Sequence, residues 1–424
     1  MVTLVLLVCG ATLVGVVAAD WPYLRRVVAS ARSSDRGEWP EELRAPVVRL
    51  DGGGSTTFFP TAAPGETTID PAALDAAAQW AEAQDGVALL VLHRGRLQLE
   101  RYWQGMRVDT LFPGGAMSHS LLGLVFGAAV ADGRLALDDP ASKFLDEWRG
   151  DPRGAITIRQ LLQNVSGLAE TRADPPDATP GAGPLARAVA LLRVATRRET
   201  RLAFGADAGA AALSFPLEHE PGGRFARSDV NSQLLGLILE RATGTDLERY
   251  VEQRLWAPLG AGVGEFRLDR AQGMPVLSGG FRATPRDWLR FGALLVDDGV
   301  SAGRALLPRG WIARMARDTS IVNPRYGLQV WSGRAMAGRR DNLGASTQAG
   351  VTRGENFLAD DIIWMDGGGG RSLWAIPSQQ LVILHLGRAA QAWDGSVLPN
   401  TILRGLRAPA VRLPAAPPRA ADAT

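Results

Sequence analysis

The order of the hydrophobic patterns along the chain constrains its fold more than any other feature. Two strand-length runs lie early, GVALLVLHRG (86–95) and RLQLERYW (96–103). Three more lie late, YGLQVWSG (326–333), RSLWAIP (371–377) and QLVILHLG (380–387). Helical spacing fills much of the interval: Met117 to Ala131, a short TIRQLLQNVSGL (157–168) capped by Thr157, Asp229 to Thr243, Thr245 to Trp256, and Thr284 to Asp298. A further helix, Pro71 to Gln84, opens with Asp70 as N-cap and Pro71 at its first position. Strands near both ends with helices between them predict an α/β fold: a mixed sheet domain formed by both ends of the chain plus an inserted helical region. The expected organisation is an apolar N-terminal anchor or signal (1–19), a linker (20–70), one domain over 71–407 with its helical insert at about 140–275, and a flexible Ala/Pro-rich tail (408–424).

Composition narrows the function classes. Over 424 residues, 46% are hydrophobic and 21% charged, which excludes extended disorder and collagen-like structure. The 46 basic and 44 acidic side chains leave a formal charge of +2, and no basic run forms a nucleic-acid footprint. The single cysteine, Cys9, excludes internal disulfides and cysteine-based zinc sites. No His-Glu-x-x-His occurs and His219-Glu220 alone is too little for zinc, so no metal or cofactor is expected. The apolar stretch Val2–Ala19 has no basic residue before it and is followed by Arg25, Arg26 and Arg32. It reads as a retained membrane anchor or a cleaved export signal, placing the protein in the cell envelope with its orientation open.

Several stretches resemble the β-lactamase-related serine hydrolases, the superfamily of class C β-lactamases, penicillin-binding DD-peptidases, esterases and the 6-aminohexanoate-dimer hydrolase. They are GRLALDDPASKFLDEWRGDPRGAITIRQLLQNVSGL (133–168), PGGRFARSDVNSQLLGLILERATG (221–244), ATPRDWLRFGALLVDDG (283–299) and GGGGRSLWAIPSQQLVILHLG (367–387). Their order matches the family, and the resemblance covers about three-quarters of the chain.

The resemblance implies acyl chemistry by a Ser-x-x-Lys pair at a helix start, a proton-transfer group in a Tyr-x-Asn or Ser-x-Asn motif, and an oxyanion N–H on a Gly-rich strand. In this chain the first motif falls on Ala116-Met117-Ser118-His119-Ser120, with Ala116 at the nucleophile position and His119 at the lysine position. The second falls on Phe225-Ala226-Arg227-Ser228-Asp229, with Arg227 for tyrosine and Asp229 for asparagine. The third is Asp366-Gly367-Gly368-Gly369-Gly370-Arg371, with Arg371 where glutamine is usual. A shifted register does not restore the site. Lys143 is the only lysine and stands three residues after Pro140, and no tyrosine lies near the second motif along the sequence.

Two readings follow. In the first, the fold is a catalytically impaired serine hydrolase kept as a binding or scaffolding protein, with a small-molecule or peptide ligand in the ancestral pocket or a protein partner. An Arg227–Asp229 or Arg227–Asp366 pair would then fill the substrate space. In the second, it is a hydrolase or esterase with a rearranged site that uses His119 and Asp229 or Asp366 with water or Ser118. Ser118 lies about 200° around the helix from Ala116, which turns it away from the pocket. Ser120, His93 and His385 read as structural, and His219 as a loop residue near the pocket mouth.

Overall fold

The computed structural model describes residues 21–32, 43, 46–53, 59–63, 65–170, 193–333, 354–388 and 394–407. The described residues begin with helix α1 (Trp21–Arg32), strand β1 (Val47–Asp51), helix α2 (Pro71–Ala83), strands β2 (Gly86–His93), β3 (Arg96–Tyr102) and β4 (Phe112–Pro113), and helix α3 (Met117–Ala131). The helical insert contains α4 (Ile158–Leu162), α5 (Arg198–Phe204), α6 (Ala208–Leu213), α7 (Asp229–Thr243) and α8 (Leu247–Val251). After it come β5 (Val263–Arg267), β6 (Phe281–Ala283), α9 (Pro285–Val296), the hairpin β7 (Val300–Ser301) and β8 (Arg304–Ala305), and α10 (Trp311–Arg317). The described residues close with β9 (Trp331–Ser332), β10 (Ile363–Gly368), β11 (Arg371–Ile376), β12 (Leu381–Gly387) and α11 (Val397–Arg404).

The main sheet has the order β3-β2-β12-β11-β10-β9, and every pairing in it is antiparallel. Its centre joins the two ends of the chain, with Leu384 opposite Leu90 and Ile383 opposite Val91. These strands are apolar at nearly every position because the sheet is covered on both faces. Ala88, Leu90, Leu92, Val382, Leu384 and Leu373 face one core, shared with α3 and α9. The alternate residues Leu89, Val91, Ile383 and Trp374 face a second core, closed by Leu74 and Ala77 of α2 and Leu398 and Ile402 of α11. In that second core Trp364 and Trp374 stack with ring centroids 6.1 Å apart.

A smaller sheet, β1-β5-β6-β4, fixes where α3 begins. Gly114 follows β4 directly, and its N–H donates to the Phe281 carbonyl at 3.2 Å. A Cβ on Gly114 would stand 2.2 Å from the Trp288 ring, so only glycine fits at this entry to the helix.

Residues 20–70 are more than the linker expected from sequence. β1 is an edge strand paired with β5, and α1 packs Tyr23 and Val27 against Ala195 with Phe204 alongside. Arg, Pro and Gly content pointed to a flexible segment, but tertiary burial of a few apolar residues decides the structure. The 157–168 helix is also shorter than expected, ending at Leu162 before the left-handed Asn164. Of 326–333, only Trp331–Ser332 is strand. No helix among the described residues is long and apolar enough to cross a membrane. Residues 1–19 and the tail 408–424 lie outside the described residues.

Candidate functional site

The site is built where the start of α3, the start of α7 and the end of β10 meet. Ala116 is the N-cap residue of α3 and offers no side-chain cap. Its backbone N–H donates to the Gly367 carbonyl at 3.1 Å, so this donor is already bonded within the protein. The approach is close on both sides. A Cβ on Gly115 would lie 2.3 Å from the Gly367 oxygen, and one on Gly367 would lie 2.2 Å from the Gly114 oxygen. Glycine at 115 and 367 therefore lets the two backbone segments lie in contact.

Arg227 reaches across this contact. Its side chain is 10% exposed, and its guanidinium donates to Asp366 Oδ2 at 3.0 Å, to the Asp366 carbonyl and to the Ala116 carbonyl at 3.3 Å. Asp366 is 2% exposed, and its other oxygen accepts the Gly368 N–H at 3.0 Å. Of the two arginine pairings expected from sequence, the one with Asp366 is formed. Arg371 turns back on the glycine run, donating from Nε to the Gly368 carbonyl at 2.9 Å. Gly368, Gly369 and Gly370 all have positive φ, which gives the run the tight turn between β10 and β11.

His119 lies buried beside Asp229, with Nε2 and Oδ1 3.2 Å apart. That is an ion-pair distance, but neither ring nitrogen makes a directed hydrogen bond, so the carboxylate lies off the N–H axis. The two serines of the first motif are committed to backbone. Ser118 Oγ donates to the Gly115 carbonyl at 2.8 Å, and Ser120 Oγ to the Gln329 carbonyl at 2.6 Å. Lys143 is remote from this cluster in its role, pairing at the surface with Asp139 at 2.8 Å.

The other histidines have local duties. His93 contacts the Thr68 hydroxyl, His219 contacts Arg224 at 2.9 Å, and His385 is fully buried beside the Gly370 and Ala81 backbone. Burial pushes the His385 imidazole down to about 4, and burial together with Arg94 lowers His93.

Sequence reasoning missed a polar shelf beneath Arg227. Asn164 adopts a left-handed φ of 56°, and its Oδ1 accepts from Ser228 N at 3.3 Å and Asn231 Nδ2 at 2.9 Å. Its carbonyl accepts from Ala226 N at 2.9 Å. Ser166 Oγ donates to Asn231 Oδ1 at 2.7 Å, completing the tie between the α4 turn and the second motif. An Asn directly after a short helix was the available signal, since Asn tolerates φ > 0.

Tyr326, far from the second motif along the chain, is brought to it in space. Its ring lies 5.1 Å from that of Phe225, and its hydroxyl donates to Gln329 Oε1 at 3.0 Å. Burial pushes this hydroxyl up to about 12, against the opposing pull of Arg227, so it stays protonated near neutral pH.

Two cavities, of about 640 and 540 Å³, lie away from this cluster. One is walled by Val296, Ile312 and Ile363, the other by Glu170, Arg198 and Arg224. Among the described residues no group of three or more His, Cys, Asp or Glu side chains could hold a metal ion.

At the cluster a helix start thus faces a Gly-rich strand, with a second helix start between them. The family model described as Beta-lactamase matches residues 73–392. The chain belongs to the beta-lactamase family. Among relatives of this beta-lactamase family protein is the 6-aminohexanoate-dimer hydrolase of Paenarthrobacter ureafaciens, 27% identical over 228 residues, which are 53% of this chain and 55% of that enzyme. The chain therefore aligns with about half the length of that curated relative. A solved 6-aminohexanoate-dimer hydrolase-like protein from Bacillus anthracis superposes with a TM-score of 0.63 at 18% identity, covering 85% of this chain and 89% of that one. A penicillin-binding protein from Bacillus halodurans gives a TM-score of 0.53 at 16% identity, covering 77% and 99%. These structures establish the shared serine-hydrolase fold, a mixed α/β architecture.

Proposed function

We propose that this beta-lactamase family chain is a catalytically impaired serine hydrolase, a pseudoenzyme, which serves at the cell envelope by binding or scaffolding. The ligand is a small molecule, a peptide or a protein partner. One observation carries the reading: Arg227 bridges Asp366 and the Ala116 carbonyl while the Ala116 N–H bonds Gly367. Acyl transfer needs a nucleophile, a base beside it and a free N–H for the developing oxyanion. Here the first position is a methyl group and the N–H is occupied. Loss of the nucleophile alone costs a well-studied serine protease about 10⁶ in kcat.

A second reading draws on the 3.2 Å contact of His119 with Asp229, an acid–base pair that would activate water. Incubation with a fluorophosphonate and a β-lactam, followed by intact-mass measurement, tests the first reading: no adduct is expected. Labelling that vanishes in Ser118→Ala would overturn it. Ester turnover without an adduct, abolished by His119→Gln, would establish the second.

A further inference from the structure

We infer that the outward face of α1, with the arginines of the adjoining 193–201 stretch, is the surface this protein lays against an anionic lipid bilayer. The inference rests on the envelope reading above and adds which face of the fold meets the lipid.

Helix α1 has two faces with different partners. Tyr23 and Val27 are buried against Ala195 and beside Phe204, and the Tyr23 hydroxyl donates to the Ala195 carbonyl. Arg26 reaches inward to the carbonyls of Phe204 at 3.2 Å and Asp269 at 2.6 Å. The helix is thus an integral part of the insert. On the opposite side, one turn apart, stand Trp21, 55% exposed, and Arg25, also exposed.

The neighbouring stretch is basic. Arg193, Arg198 and Arg201 are exposed, Arg201 lies 5.6 Å over the Tyr23 ring, and Glu199 and Asp207 are the acidic residues between 193 and 207. An exposed indole beside arginines suits the headgroup region, where the ring sits in the interface and the cations meet anionic lipid. The chain on the other side of Trp21 supplies the second argument. Residues 2–19 contain no charged side chain and end next to the helix. With only Asp20 between them, that apolar stretch and Trp21 must reach the same membrane level if 2–19 enters the bilayer. Because α1 is clamped to the insert, the domain would then sit in one fixed orientation.

The test uses the full chain carrying Cys9→Ser with Arg25→Cys, labelled with bimane, beside a control with Cys9→Ser and Arg304→Cys on the β7–β8 hairpin. Both are added to vesicles of phosphatidylglycerol and phosphatidylcholine that contain brominated lipid, then floated on a gradient. The expected result is flotation of both proteins, with strong lipid quenching at position 25 and none at 304. Quenching at 25 should fall in vesicles of phosphatidylcholine alone and after Arg198→Glu with Arg201→Glu, by about fivefold in lipid preference for each basic residue removed. Flotation with equal signals at 25 and 304 overturns the assigned face and leaves the membrane reading standing. Failure to float overturns both.

Discussion

The segment 133–168 and the cluster around Ala116 belong to the same domain and follow different rules. In the segment, side chains satisfy backbone and hold elements together. Thr157 and Gln160 form a reciprocal capping box, Arg159 grips Asp138 through two contacts of 2.8 and 2.9 Å and also reaches Asp318, and Gln163 donates to the Asp318 carbonyl at 2.9 Å. This stretch reads as the family pattern. At the cluster the charged side chains pair with each other: Arg227 with Asp366 and His119 with Asp229. The difference teaches that packing and capping requirements persist independently of what the pocket holds. Arg227 with Asp366 forms a buried polar plug beside the start of α3.

Three measurements sharpen or break this contrast. The largest effect should come from Arg227→Met. Removing one partner of a buried pair leaves the Asp366 carboxylate, 2% exposed, without its cation, at a cost of about 3–5 kcal/mol. Urea unfolding should show that loss, and the double variant Arg227→Met with Asp366→Leu should recover much of it. An unchanged single variant would mean that the plug contributes nothing to the fold.

A pH effect of similar size is expected on the scaffold side. His385 titrates near 4 in the folded protein and near 6.5 when unfolded, so the unfolded chain binds the extra proton first. Stability is therefore fully present above about pH 6.5 and falls as the pH drops toward 4, by on the order of 3 kcal/mol across that window. His93, lowered as well, acts in the same direction. Unfolding midpoints against pH should decline over this range, and His385→Gln should flatten the decline. An equally steep slope in the variant would assign it elsewhere.

The smallest effect belongs to the capping box. Thr157→Ala should cost about 1 kcal/mol, with no change at the cluster.

Much of this was legible in the sequence. The continuous apolar runs at 86–93 and 381–387 announced strands buried on both faces, and Asp70 followed by Pro71 marked the start of α2, where the Asp70 side chain accepts from Ala72 N. The positions of Ala116, His119, Arg227 and Asp366 could be named because the flanking segments fixed their register. Their partners were less accessible. Which carboxylate Arg227 takes depends on how β10 lies against α7, and Tyr326 reaches Phe225 only through the fold of a distant loop. The strand at Val47–Asp51 and helix α1 were hidden because each buries only a few residues, against partners more than 150 positions away.

The pairing of β2 with β12 has a consequence for biogenesis. The hydrogen bonds between β2 and β12 cannot form until residues 381–387 have left the ribosome, so the β2–β3 hairpin must wait with one edge of β2 open while the residues between are made. Loop closure over that span is slow relative to local helix formation. The helical insert, made largely from one continuous stretch, is free to consolidate during synthesis, whereas the sheet closes only once residues 381–387 have emerged. A ribosome-stalled chain ending before residue 381 should accordingly be far more protease-sensitive at 86–102 than within 229–256.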